Sequence, residues 1–370
     1  MAREIGIGLV GYGAIGRVHA LCYRMLPLAY PDLPLMPRVV AVATAGAASA
    51  ERARRELGDV VATTNLDDLL RHPGIVVVDC CAPTGEHARV AHAALLAGKA
   101  LFCEKPLAAT TAESESIAAL ARERGLAGGV NFHFRQIPAL QEARRRIEAG
   151  LLGEVYGFHM RYYRASNLRG DRPLTWRFAG PGSGVLADLG SHLIDLTLHL
   201  LGPVAAVAAH MRTVVAERPG PGGQPAPVEG DDVAWLQLEL AGGGRGTLEA
   251  SKLVPGAADD LRIEVYGARG ALVFDTRDPN MLLLAAGADS PPGGQPIATF
   301  SRTLPPAALP GAETPTSWLQ WHLASIAAFL GALAAGAPPR PSLDDGLAVD
   351  QVIAAAQRSA AQGGAAVPVS

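Results

Sequence analysis

The sequence predicts a two-domain α/β chain: a doubly wound parallel sheet first, then an α+β domain with a mainly antiparallel open sheet. Three observations predict it. An apolar strand at 4–10 runs straight into Gly11, Gly13 and Gly16, and an apolar helix follows. Short apolar runs then alternate with helical stretches as far as residue 131, the pattern of a parallel sheet covered on both faces. Beyond 131, alternating or β-branched segments are separated by Gly, Pro or Asp, the pattern of antiparallel strands. A length of 370 residues makes two domains the default, and the change of pattern places them at 1–131 and 132–370.

The elements read in order as follows. A strand at 4–10 and a helix at 14–25 precede a strand at 38–43 and a helix at 49–57. The segment 27–37, with four prolines, reads as an inserted loop. Strand-like runs lie at 60–62, 75–80, 100–103 and 126–130, with helices at 84–97 and 111–124. Thr110 and Glu113 have capping-box spacing at the start of the last of these. In the second half, a helix at 137–148 ends at Gly150, and strands follow at 154–163, 204–215, 233–240, 246–252, 261–266 and 271–275. Helices at 317–335 and 343–362 close the chain. The Gly- and Pro-rich stretches 217–230 and 287–315 read as mobile loops.

Composition excludes several function classes. Hydrophobic residues make up 49%, charged residues 18%, and the net charge is -3. No basic face is evident, so nucleic acid is not an expected partner. No apolar run reaches the length of a membrane span, and residues 1–10 lack the regions of a signal peptide. A soluble cytoplasmic protein is expected. The cysteines, Cys22, Cys80, Cys81 and Cys103, form no C-x-x-C and read as small buried hydrophobes in a reducing compartment.

The glycine run carries the first piece of chemistry. Gly11, Gly13 and Gly16 have G-x-G-x-x-G spacing between a strand and a helix. The first allows a tight turn, the second lets the backbone approach a pyrophosphate, and the third lets helix and strand pack closely. The N–H groups at the helix start, around Ala14 and Ile15, then face the anion. A second group is Glu104-Lys105-Pro106, directly after the strand 100–103. Ligands of parallel sheets bind beyond the carboxyl ends of strands, which puts Lys105 beside a nicotinamide; the bland alternative is a surface lysine before a helix. Pro106 fixes the backbone there, and a cis bond would aim the ammonium.

A third group is Asp188, His192 and Asp195, whose spacing brings the three side chains together on a helix. A carboxylate beside an imidazole orients the ring and raises its basicity, as a general base requires. Helix capping by Asp188 with a buried histidine is the alternative, and a metal site is disfavoured because no other compact acid/His cluster completes a shell. Asn131 and Arg135 follow the strand 126–130, so they either face the cleft, as cofactor and substrate contacts respectively, or serve the structure alone. Trp176-Arg177 would stack on a sugar or nucleotide, or seal a core. Pro83 and His87, just beyond the strand 75–80, would line the nicotinamide pocket, or pack at a helix start. No G-x-S-x-G elbow or P-loop occurs.

Taken together, these residues resemble the glucose-fructose oxidoreductase / inositol dehydrogenase / rhizopine-catabolism (Gfo/Idh/MocA) family over nearly the whole chain. The resemblance rests on Gly11, Gly13 and Gly16, on Gly98-Lys99 leading into Glu104-Lys105-Pro106, on Asn131 to Arg135, and on Gly184, Asp188, Gly190, His192 and Asp195. It implies a Rossmann domain, a second domain with a large open sheet, and oxidation of a sugar or cyclitol hydroxyl with NAD or NADP. It further implies that Lys105 and His192 are catalytic and touch substrate, that Asp188 cooperates with His192, and that the sheet pairs copies into dimers or tetramers. One departure concerns the cofactor. The stretch after the second strand, 43–49, has no carboxylate for the ribose hydroxyls, whereas Thr44 or Ser49 would donate to a 2′-phosphate, with Arg17, Arg52 or Arg54 adding charge. NADP is therefore slightly favoured. The expected mechanism is reversible hydride transfer, with the Lys105 ammonium and the His192 imidazole converging on one hydroxyl. The rival readings are an NAD-dependent glycosidase or epimerase with a transient redox step, and a non-enzymatic dinucleotide-binding protein.

Overall fold

The computed structural model describes residues 3–287, 289–300, 306–309, 311 and 314–370. The chain forms two compact units, Met1–Gln136 with Ser301–Leu347, and Ile137–Phe300 with Ala348–Ser370. The expected single boundary after residue 131 is thereby corrected, because the chain returns to the first unit near its end. The reason is packing. Leu323, Ile326, Ala327, Phe329 and Leu330 of the helix Trp318–Ala335 complete one core with Ile5, Ile7, Tyr23, Leu26 and Phe102.

The first unit is built on strands β1 (Arg3–Val10), β2 (Leu35–Ala43), β3 (Val61–Thr63), β4 (Ile75–Cys80), β5 (Ala100–Cys103) and β6 (Gly128–Val130). They pair in parallel in the order β3-β2-β1-β4-β5-β6. That order reverses between β1 and β4, and ligands of such sheets bind beyond the strand ends at this switch point. The intervening helices are α1 (Ala14–Ala29), α2 (Ala47–Leu57), α3 (Leu66–Leu70), α4 (Thr84–Leu96) and α5 (Thr111–Arg124). The Thr110–Glu113 capping box forms as the spacing predicts.

The proline-rich insertion is not a loop from 27 to 37. Helix α1 continues through Pro27 to Ala29, and β2 already starts at Leu35. A proline inside a helix costs about 3 kcal/mol. Tyr23, Leu26 and Ala29 are buried in the core on either side of it, and that burial offsets the cost. Pro37 lies where β2 has a neighbour on one side only, since β3 pairs with no residue before Ala41.

Helix Trp318–Ala335 is also long and apolar enough, by length and composition, to cross a membrane, so the expectation that no run reaches such a length is corrected. Its apolar side chains are those that complete the first unit's core.

The second unit starts with α6 (Pro138–Glu148) and β7 (Val155–Tyr163), then a π-helical turn Leu186–Gly190 that runs into α7 (Ser191–Leu201). Next come β8 (Val204–Arg212), β9 (Glu217–Pro219), β10 (Pro225–Pro227), β11 (Val233–Leu240), β12 (Arg245–Ser251), β13 (Asp260–Gly267), β14 (Gly270–Asp275), β15 (Met281–Ala286), β16 (Gln295–Ala298) and β17 (Val367–Pro368). Nine of these form one sheet in the order β16-β15-β14-β13-β7-β12-β11-β8-β17, antiparallel except for the β7–β12 pair. Leu236, Leu248, Met160, Ile263, Phe274 and Leu282 share one register row across it and are all buried. Alternate positions point away from that core, and among them Trp235 is 42% and Leu283 37% exposed.

The stretches expected as mobile loops carry structure. β9 and β10 form a hairpin, and β16 extends the large sheet beside β15. Residues 288, 301–305, 310, 312 and 313 of the second stretch lie outside the described residues.

Candidate active site

In the first unit, the glycines divide their labour. Gly11 has φ +91, and a Cβ there would stand 2.6 Å from the Cys81 carbonyl oxygen. A Cβ on Gly16 would meet the Gly11 carbonyl oxygen at 2.1 Å. A Cβ on Gly13 would meet nothing within 4 Å. Gly13 therefore borders open space at the start of α1, which has no side-chain cap and no acidic residue in its first turn. That is a cradle a side chain would fill, lined by N–H groups and a partial positive charge, and it fits a dinucleotide pyrophosphate.

Past β2, the Thr44 hydroxyl donates to the Gly46 carbonyl oxygen at 3.0 Å. Ser49 Oγ accepts from Arg52 at 3.1 Å, while Arg17 pairs with Glu56 and Arg54 with Glu51. Helix α2 begins there without a side-chain cap or an early acidic residue.

Lys105 stands at the end of β5, half-buried, and the Lys105–Pro106 bond is cis. The side chains around it face inward more than the sequence suggests. Glu104 and Asn131 are 7% and 0% exposed, and the Asn131 amide donates to Glu104 Oε1 at 2.6 Å. Burial pushes the Glu104 carboxyl up, but the hydrogen bond and charge of His19, with the Lys105 ammonium, overrule it and hold it at about 2. His87, 1% exposed, has its ring nitrogens 2.9 Å from the carbonyl oxygens of Pro106 and Ala82. It ties the segment after β4 to the segment after β5 and packs at the start of α4; Pro83 beside it is exposed at the N-cap of that helix. Arg135 is also turned inward: it is 7% exposed and pairs with Asp345 at 3.4 Å.

In the second unit, Asp188 lies in the π turn and His192 in the first turn of α7. Their four-residue spacing is thus not that of an uninterrupted α-helix; π turns are frequent at functional sites. Gly184 has φ +97 ahead of the turn, and a Cβ there would stand 2.1 Å from Asp231 Oδ1. Asp231 Oδ2 accepts the Leu186 N–H at 2.9 Å and so fixes where the turn begins. His192 is 4% exposed, with its ring 6.1 Å from that of Tyr162, and Asp195 is buried one turn further on. The Asp188 carboxylate accepts from Lys252, at the end of β12, and lies 3.8 Å from Arg177. The Arg177 guanidinium rests over Trp176 at 4.2 Å, and Trp176 is 36% exposed, so it seals no core.

Sequence reasoning missed Lys252. The one available signal was a lone lysine closing a strand, at a position only 5% exposed. It also missed acid/His clusters brought together by folding. Among the described residues, three groups gather ligand-type atoms within 4.8 Å: Cys80, His87 and Cys103; His19, Glu104 and His322; and His19, Asp79 and Cys81. In the second group the Asn131 amide nitrogen lies 2.6 to 3.0 Å from all three ligand atoms, the point a cation would take. In the first, both His87 nitrogens already face carbonyl oxygens.

Comparison with known proteins shows which family carries this fold. The sequence model described as "Oxidoreductase family, NAD-binding Rossmann fold" matches residues 5–132, and "GFO/IDH/MocA C-terminal domain" matches residues 140–273. Levoglucosan dehydrogenase of Pseudarthrobacter phenanthrenivorans is 32% identical over 302 residues, which cover 78% of this chain and 77% of that protein. Inositol 2-dehydrogenase of Rhizobium meliloti is 28% identical, over 97% of both chains. A solved structure titled "Levoglucosan dehydrogenase, complex with NADH and levoglucosan" superposes with a TM-score of 0.94 at 30% identity, over 100% of both chains. With both halves of its length matched in this way, the chain belongs to the Gfo/Idh/MocA family of NAD-binding oxidoreductases.

Proposed function

We propose that this protein reversibly oxidises a secondary hydroxyl of a sugar, cyclitol or related polyol. The observation that carries the reading is the open Gly13 cradle at the start of α1, with Lys105 at the end of β5 in the same parallel sheet. The relatives named above, dehydrogenases of levoglucosan and inositol, support the substrate class.

A bound nicotinamide supplies the hydride acceptor. The chain's own residues do the rest. His192 takes the proton of the reacting hydroxyl as general base. Asp188, held by Lys252, supports the positive charge that the His192 ring then carries. The Lys105 ammonium stabilises the oxygen as negative charge develops on it. Trp176, topped by Arg177, offers a flat exposed face to the sugar ring.

Either cofactor is accepted in this reading, with NADP slightly favoured. The uncapped start of α2, the Arg52 guanidinium on Ser49 and the lack of a carboxylate at 43–49 support that preference. A kcat/KM ratio strongly favouring NAD would overturn it. The outward row of the large sheet, with Trp235 and Leu283 exposed, supports pairing of two or four copies through that face; light scattering that returns a monomer would overturn this part.

The deciding experiment is a panel of polyols, sugars and glycosides with both oxidised cofactors, read by nicotinamide absorbance. Growth of the reduced band with at least one sugar or cyclitol is expected. Cleavage of a glycoside with no net band would replace the reading with transient redox chemistry.

A further inference from the structure

Five polar side chains far apart in sequence meet inside the first unit. His19, Asp79, Glu104, Asn131 and His322 are each 7% exposed or less. His19 lies at their centre. Its Nδ1 is 2.9 Å from Asp79 Oδ2, and its Nε2 is 3.2 Å from Glu104 Oε1. A ring with a carboxylate at each nitrogen donates to both as an imidazolium, and the Asn131 amide nitrogen, 3.0 Å from the same Nε2, then turns its two hydrogens to Glu104 and His322.

The surroundings agree with that assignment. Burial opposes a charge on His19, but Asp79 overrules it and holds the ring well above its usual range. Tyr23 donates to Asp79 at 2.9 Å, and burial keeps the Tyr23 hydroxyl and the Cys22 and Cys81 thiols protonated. His322 takes the opposite state: burial, then the nearby His133 and His19, push it well below its usual range. It accepts from the Asn131 amide at 2.9 Å and stacks on His133 at 3.8 Å. One charged imidazole and one neutral one thus flank a single asparagine, whose amide hydrogens go to Glu104 and to the neutral ring.

A buried charge cluster is seldom the most stable way to fill a core, and apolar side chains of equal volume often do as well. What such a cluster adds is fixed orientation. Here the orientation reaches Lys105. Glu104 Oε1 is held by His19 and Asn131, and Glu104 Oε2 accepts the backbone N–H of Lys105 at 3.3 Å. On the other side of Lys105, the Pro106 carbonyl oxygen lies against His87.

The geometry points to His19 as a positioning residue for Lys105: bridged between Asp79 and Glu104, it locks the carboxylate that anchors the lysine's backbone. The inference rests on the role given to Lys105 above.

Two measurements test it. The first uses the cofactor-free protein, with 15N-labelled histidine read by NMR. His19 should keep both ring protons at pH 7, where an ordinary imidazole has largely lost one, and a singly protonated ring at that pH would overturn the proposal. The second is a double-mutant cycle of His19→Gln with Lys105→Ala. His19→Gln should lower kcat roughly 10- to 100-fold, the scale of a displacement near 1 Å, with substrate KM and cofactor Kd changed less than about threefold. In the Lys105→Ala background the same change should cost less than about twofold, because its target is gone. Losses that multiply would overturn the proposal, as would normal kcat in His19→Gln beside a crippled Lys105→Ala. Full turnover in Lys105→Ala would instead overturn the functional reading itself. If His19→Gln does not fold, Glu104→Gln keeps the volume and carries the same cycle.

Discussion

Replacing Lys252 with methionine isolates the contact that holds Asp188. Methionine keeps most of the stem's volume and removes the ammonium. The Lys252 side chain is 6% exposed and that of Asp188 25%, so the pair is mostly out of water. Removing one partner of a fully buried pair costs about 3–5 kcal/mol, chiefly because the other charge is left uncompensated. Two features reduce that here: Asp188 keeps a quarter of its exposure, and Arg177 remains 3.8 Å away. The expected loss is therefore about 2–3 kcal/mol. For a domain of this size, about 2–4 °C of Tm follows each kcal/mol, so Tm should fall by about 4–12 °C. Thermal scans of the cofactor-free protein read the stability, and kcat for the substrate found in the panel reads the function. Turnover should fall at least tenfold, since Asp188 loses the contact that orients it for the role proposed for it with His192. The double variant with Asp188→Asn should regain most of the stability, because no orphan charge remains, without regaining turnover. A Tm within 1 °C of the parent for Lys252→Met, with unchanged kcat, would refute the reasoning.

Other perturbations separate fold from site. Gly13→Ala should leave the Tm of the cofactor-free protein unchanged, since its Cβ meets nothing and φ is -81, yet weaken cofactor binding by about tenfold or more, read by fluorescence titration. Gly11→Ala should do the reverse of the first part and lose about 2 kcal/mol or more, from φ +91 and contact with the Cys81 carbonyl. Burial raises the Asp231 carboxyl from 3.8 to about 6, against the opposing Leu186 N–H. A raised acid binds its proton more tightly in the folded state, so its stabilisation is full below pH 4 and is lost as pH rises through 6, by about 3 kcal/mol at most. Asp231→Asn should remove that slope, so its stability should gain on the parent's between pH 4 and pH 7; parallel denaturation curves would refute the assignment.

Local signals made part of this molecule legible before folding was considered. The Gly11, Gly13 and Gly16 turn and the Thr110–Glu113 capping box depend on neighbours a few residues apart, and the structure forms them where the spacing places them. The position of Lys105 followed because a strand end is itself a local feature. What stayed hidden depends on distant contacts. Pro27 breaks helices by a local rule, and the buried faces of Tyr23 and Leu26 override it. The return of the helix Trp318–Ala335 to the first core is set by complementary apolar surface, not by anything in its flanks. His19 and Asp79 are 60 residues apart, and Asn131 and His322 are 191 apart, so no spacing rule joins them. Lys252 looked like the end of a strand because the turn that brings Asp188 to it is 64 residues away.

The central claim, that Lys105 and His192 serve one reaction, is tested most directly by a crystal structure of the protein with a nicotinamide dinucleotide and a sugar or cyclitol identified by the panel. The account predicts Lys105 Nζ and a His192 ring nitrogen both within about 3 Å of the same substrate oxygen. A ternary complex in which either group lies beyond hydrogen-bond reach of that oxygen would contradict it.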